Sequence, residues 1–182
     1  MSQTRYTNKD IREFLIKVVS MALTNAGYTE TSKIPVIVSH QNTPAPKLPY
    51  VTVGYSGITT RQGHVTKSEL IEFENEELEL NYKRYYIQDV EKVFTLTEEG
   101  GTGSLLELIA DSMEMDSIRA EFETAAIALL RIENVSPRPQ LFNEDWQTGA
   151  TLDIVIGVAA AVVEIADFIE DVQMSGELKD PE

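Results

Sequence analysis

From Ala150 to Val163 the chain alternates. Leu152, Ile154, Ile156, Val158, Ala160 and Val162 fall on one set, and Asp153, Val155, Gly157 and Ala159 on the other. A period of two is the repeat of a β-strand, whose successive side chains point to opposite faces. One set is strongly apolar and the other also carries Val155 and Ala159, so parts of both faces are expected to be buried. Ile154 to Val163 is apolar for ten residues, between Asp153 and Glu164. A membrane-spanning helix needs roughly 20. The stretch therefore reads as a long strand of a sheet, and the remaining chain has to supply its neighbours and its cover.

Helices supply the cover. Ile11, Phe14, Leu15, Val18, Ala22 and Leu23 recur at the spacing of one helical face. Thr7 or Asn8 can cap the start with a side-chain oxygen, and Gly27 can stop the helix in the left-handed conformation. Ser104 and Glu107 stand at capping-box spacing ahead of Leu105, Leu106, Ile109 and Met113, which predicts a second helix over about Leu105 to Met113. Asp116 or Ser117 can cap a third, carrying Ile118 and Phe122.

Strands supply the neighbours. Ile34 to Ser39 is short and β-branched, and Pro44, Pro46 and Pro49 stiffen the loop after it. Tyr50 to Thr60 is rich in Val, Tyr, Thr and Ile, with Gly54 and Gly57 placed for bulges or a close backbone approach. Tyr82 to Leu96 puts Tyr86, Val90, Phe94 and Leu96 on one alternating set. Ala126 to Val135 fits two readings, a continued helix through Leu129 and Leu130 or a strand. Pro137 and Pro139 break what precedes them. Trp146, the sole tryptophan, lies in the loop before the long strand, in the core or at an interface. Phe168 to Met174 reads as a last short strand. These elements make an α+β fold: a single domain with a mostly antiparallel sheet flanked by helices, plus an extended acidic arm or hairpin. The domain spans residues 1–174, with the arm at 61–81 and a polar tail at 175–182.

Charge narrows the partners. The chain of 182 residues carries 15 Lys and Arg against 30 Asp and Glu, a net charge of −15. Met1 to Lys67 holds 8 basic and 3 acidic residues; Ser68 to Glu182 holds 7 and 27. A tight grip on duplex DNA needs many cations against phosphates, and this balance opposes it. The asymmetry points to two differently charged surfaces, as in a polar assembly. Glu69, Glu72, Glu74, Glu76, Glu77 and Glu79 crowd one segment, which reads as a solvated arm.

No pattern of catalysis emerges. The chain has no cysteine, which excludes disulfides, thiolate metal sites and cysteine nucleophiles. His40 and His64 are the two histidines and form no paired motif, so no metal site and no cofactor are expected. There is no Gly-x-Ser-x-Gly elbow, and the glycines at 100, 101 and 103 lack the Lys-Ser/Thr of a phosphate loop. The protein is read as not an enzyme, and as soluble, with no membrane partner. Tyr82, Lys83, Arg84, Tyr85 and Tyr86 interleave aromatics with cations, a composition common at protein interfaces. With Glu72, Glu74, Glu76, Glu77 and Trp146 they form the candidate interface set.

The order of elements carries a resemblance. A leading helix is followed by Gln41-Asn42-Thr43-Pro44 through Leu48-Pro49-Tyr50-Val51-Thr52-Val53, then strands and the helices at Leu105 to Met113 and Ile118 to Ala125. Trp146, Ala150, Leu152, Asp153 and Ile154 lead into the long strand, and Phe168-Ile169-Glu170-Asp171-Val172 comes last. This resembles the tail terminator, or neck terminator, proteins of tailed bacteriophages, over about Asp10 to Met174. The resemblance implies a homo-hexameric ring that caps the tail tube, stops its polymerisation and meets the head-side neck or connector protein. It implies contact with a sheath protein where the tail is contractile, and passage of genomic DNA through the lumen without specific binding. It implies a virion location after assembly in the host cytoplasm, and it makes Ala126 to Val135 a strand. The acidic segment departs from the family pattern. A different head–tail joining or tail-completion protein is the second reading. An acidic DNA mimic that inhibits a nucleic-acid enzyme ranks below both, with an acidic hydrolase as a further class.

Overall fold

The helical face between Ile11 and Leu23 forms α1, Asn8–Asn25, and buries Ile11, Leu15, Val18, Val19, Ala22 and Leu23. Thr7 is its N-cap. The Thr7 hydroxyl accepts from the Asp10 amide at 3.2 Å, and the Asp10 carboxylate accepts from the Thr7 amide at 2.7 Å. The Thr7 hydroxyl also donates to the Asp10 carboxylate at 2.7 Å, and that bond first, then the Thr7 amide's, holds the Asp10 carboxyl below its ordinary 3.8. The computed structural model describes residues 6–29, 32–40, 44–72, 80–142 and 145–167, and for residues 60–72, 80–86, 140–142, 145 and 160–167 it is the backbone that is described.

Two helix ends share one device. After α1 the amide of Tyr28 bonds Leu23 O and that of Gly27 bonds Thr24 O, with Gly27 at φ +98°. This is the Schellman pattern, which wants glycine at the left-handed position. The third helix, α3 at Asp116–Thr124, ends the same way: Ile127 bonds Phe122 O and Ala126 bonds Glu123 O. Here alanine occupies the left-handed position, at φ +51°. A Cβ is disfavoured there, so Ala126→Gly should raise stability by about 0.5–1 kcal/mol in chemical denaturation. A loss of stability would show that Ala126 makes packing contacts worth more than the strain.

The second helix, α2, spans Ser104–Ser112 and buries Leu105, Leu106 and Ile109. Its N-cap is Gly103, not Ser104, and no capping bond comes from the N-cap residue. The Ser104–Glu107 box therefore does not form. Met115, likewise without a side-chain bond, is the N-cap of α3.

The strands are β1 (Val36–Val38), β2 (Tyr50–Glu72), β3 (Leu80–Glu99), β4 (Ala128–Ile132), β5 (Ser136–Pro137), β6 (Gln140–Phe142), β7 (Asp145–Gln147) and β8 (Gly149–Asp167). The main sheet runs β1-β2-β3-β8-β4, with β5 also paired to β8. The β1–β2 pair is parallel, Val36 opposite Val51, while β4 and β5 pair β8 antiparallel. Residues 73–79 between β2 and β3 are too few for the crossover that a parallel pair requires, so these two run antiparallel. Contacts from β3 to β8 also run in opposed order, Thr95 with Asp153 and Gly100 with Thr148. The sheet is thus mostly antiparallel and the class α+β, as the alternation predicts. The ambiguous stretch 126–135 holds a strand at its centre, β4, and not a continued helix.

The glycines of β2 act as expected. A Cβ on Gly54 would lie 2.7 Å from Ser39 Oγ, so β1 and its following turn approach closely there. On β2, Ser56 and then Thr59 reach the same odd-numbered side of β3, at Thr95 and Glu91. The switch from even to odd needs one extra residue between them, which is a bulge beside Gly57.

By backbone proximity the chain forms two compact units, Met1–Gly63 with Gln88–Ala160 and His64–Ile87 with Ala161–Glu182. β2, β3 and β8 contribute residues to both. The three helices and the described core belong to the first. That core joins the buried helix faces to Val51, Val53, Phe94, Leu96, Leu152, Ile154 and Ile156. Val155, on the opposite face of β8, is also buried, as the two-sided pattern anticipates. The acidic segment expected at 61–81 begins within β2 and ends within β3, and its residues 73–79 lie outside the described residues, as do 168–182.

Candidate assembly surface

Alternation divides the sheet of the first unit into two chemistries. Odd residues of β2 as far as Tyr55 and even residues of β3 and β8 face the helices. The opposite side presents Thr52, Ser56, Glu91, Thr95, Thr97, Thr151 and Asp153, a polar set. Thr95 donates its hydroxyl to Asp153, which leaves its lone pairs to accept from Ser56. Thr59 donates to Glu91 at 3.3 Å. Arg131, on β4, lies 3.7 Å from Glu91 and 2.9 Å from Glu133. These pairs are exposed enough that each contributes under about 1 kcal/mol. They set the chemistry of the face more than its stability.

Two open clefts lie on this side. One, of about 470 Å³, is lined by Ser39, His40, Tyr50, Thr52, Glu99 and Arg138 among others. Burial first, and then the Glu99 carboxylate, push the Tyr50 phenol above its ordinary 10.0. The other, of about 460 Å³, includes Thr59, Arg131, Glu133 and Asp153. Both are polar. Among the described residues no three His, Asp or Glu side chains converge to hold a metal ion. No helix of the described residues is long and apolar enough to cross a membrane.

Trp146 lies on β7 opposite Leu141 of β6, in a two-stranded hairpin separate from the main sheet. It is 72% exposed. Tryptophan is ordinarily among the more buried residues, so this ring does not serve the core of its own chain. The other sequence candidates fall elsewhere. Tyr82, Lys83, Arg84, Tyr85 and Tyr86 are on β3 and Glu72 ends β2; their side chains are not among those described. Glu74, Glu76 and Glu77 lie outside the described residues. By unit, Glu72 and residues 82–86 belong to the second and Trp146 to the first.

Glu98 lies past the end of the strand read from the sequence, Tyr82 to Leu96, and that reading missed it. It is the penultimate residue of β3 and 1% exposed. Its Oε2 accepts from the amides of Leu105 at 3.1 Å and Leu106 at 3.3 Å, at the start of α2. A carboxylate there satisfies orphan amides and meets the positive end of the helix dipole. The signal was present: Phe94 and Leu96 set the core face by period two, and Glu98 continues it. Gly101 leaves the room, since a Cβ there would sit 1.6 Å from Glu98 Oε1.

The fold and this surface define a small α+β protein whose distinctive exposed features, a polar sheet face and a projecting tryptophan, suit contact with other chains. The family model described as phage neck terminator protein matches residues 8–182, and the chain belongs to that family. A comparison with curated proteins found no match. The resemblance read from the order of elements is thereby shown. The chain is a structural component of the phage tail and neck, located in the virion, and its family is not a known enzyme family.

Proposed function

We propose that the protein forms a homo-hexameric ring that caps the tail tube, stops its polymerisation and joins the tail to the head-side neck or connector protein. The family match over residues 8–182 carries this reading. The charge balance supports the passage of DNA. A lumen with excess carboxylate repels phosphates and lets a polyanion slide without sticking. The more basic first third and the acidic remainder supply unlike surfaces for the tube and the connector, and for a sheath protein where the tail contracts. Assembly takes place in the host cytoplasm. In this reading the chain is one terminator domain, residues 1–174, with segment 61–81 as an accessory arm. Residues 82–86, Glu72, Glu74, Glu76, Glu77 and Trp146 contact neighbouring chains.

The ring has a mass that tests it. Native mass measurement should give roughly 120 kDa, six times the 20.4 kDa chain, with rings in electron micrographs. A 20.4 kDa species at tens of micromolar, without rings on isolated tails, would overturn the proposal.

A further inference from the structure

The first unit carries an apolar socket as well as an aromatic knob. A cleft of about 370 Å³ lies between α1 and the chain leading to β1, lined by Met21, Leu23, Thr24, Tyr28, Lys33 and Ile34 among others. Its volume is within the range that takes a small ring system. The clefts on the open sheet face are polar, whereas this one is mainly aliphatic and aromatic. The knob is Trp146, next to Asp145 in the chain. Lys33 at the socket complements that acid in charge, and an ammonium beside an indole face adds a cation–π attraction. Glu30, in the same loop as Lys33, lies outside the described residues.

The positions of the two features are also complementary. The socket is on the β1 side: α1 packs on β1, and Tyr28 to Ile34 leads into that edge strand. The knob hairpin is inserted in the chain between β5 and β8 and forms a sheet of its own, and Trp146 is not among the residues that line the socket. A knob and a socket at separate places can meet reciprocally about a two-fold axis or pass from copy to copy, and in a ring they do the second. They make a head-to-tail contact, the type that closes into a ring when the rotation permits.

We infer that Trp146 of one copy seats in the Met21–Tyr28–Ile34 socket of the next copy, with Lys33 and Asp145 complementary in charge across the contact. This rests on the ring reading above and names its subunit contact. Burying the indole removes about 150–250 Å² of surface from water, which makes it the anchor of the interface.

Three variants test it. Trp146→Ala should keep the wild-type circular dichroism and thermal midpoint, because the ring is exposed, yet weaken association roughly 30-fold or more. Thr24→Glu, at an exposed helical position beside the socket, should do the same by opposing the acidic knob. Each alone should be monomeric. Mixed, they should form dimers of about 41 kDa, twice the 20.4 kDa chain, since one intact knob meets one intact socket. The chain has no native cysteine, so Thr148→Cys, two residues from the retained tryptophan, combined with Thr29→Cys at the socket gives a clean cross-link. Oxidation should produce a ladder ending at six chains, and neither single variant should give one. Hexamers of Trp146→Ala would overturn the inference and leave the ring reading standing. The same holds if those hexamers fail only to join tail tubes or connectors, because the occupant of the knob is then another protein. A wild-type monomer with no ladder would overturn both.

Discussion

Alanine at position 101 should destabilise the protein by about 2–4 kcal/mol, far more than one added methyl group normally does. Gly101 has no left-handed backbone requirement, and the effect is purely one of space. The new Cβ would lie 1.6 Å from Glu98 Oε1, so the carboxylate must leave its seat. Leaving breaks both bonds to the amides of Leu105 and Leu106 and strands a charge in a buried site. Charge-assisted bonds of this kind contribute about 1.5–3 kcal/mol, and amides left unpaired add to the loss. Glu98→Ala should cost a similar amount, whereas Glu98→Gln, which keeps an acceptor, should cost less. The double variant distinguishes this mechanism from general crowding. Gly101→Ala should cost little more once Glu98 is already alanine, a strongly non-additive cycle. Simple additivity in urea denaturation would show that Gly101 acts through some other contact.

Phe94→Ala should cost about 3–5 kcal/mol, from lost burial plus the cavity left behind. Phe94 is wholly buried in the cluster that joins the helices to the sheet. Its ring packs on Tyr55 at a centroid distance of 5.4 Å. For a chain of this length the change corresponds to a fall in melting temperature of roughly 6–20 °C. Phe94→Leu fills most of the same space and should cost about 1–1.5 kcal/mol. A loss under about 1 kcal/mol for the alanine variant would mean that the helical layer does not rest on this part of β3.

What could be read beforehand was whatever the local period decides. The face of α1, the inward set Val90, Phe94 and Leu96, and the inward set of β8 all follow from side-chain direction alone. The cap of α1 was legible to within one residue, Thr7 or Asn8, and the structure selects Thr7, which closes a capping box with Asp10. Contacts that the sheet brings together were not. Two amides of α2 are satisfied by Glu98 from the preceding strand, while the Ser104–Glu107 box six residues further on does not form. Ala126 in a left-handed turn was hidden because glycine is the usual marker of that position. For Trp146 the sequence left core and interface open, since burial depends on what covers a hairpin, and among the described residues the ring stays 72% exposed.

The edges of the main sheet have a consequence for how far association can run. β1 offers three residues, and β4 offers five with a register shift between Leu129 and Arg131. A short or bulged edge is a poor template for a further strand. Two copies that meet at β1 or β4 therefore gain little from backbone pairing. At those two strands this limits aggregation in the interval between synthesis and incorporation.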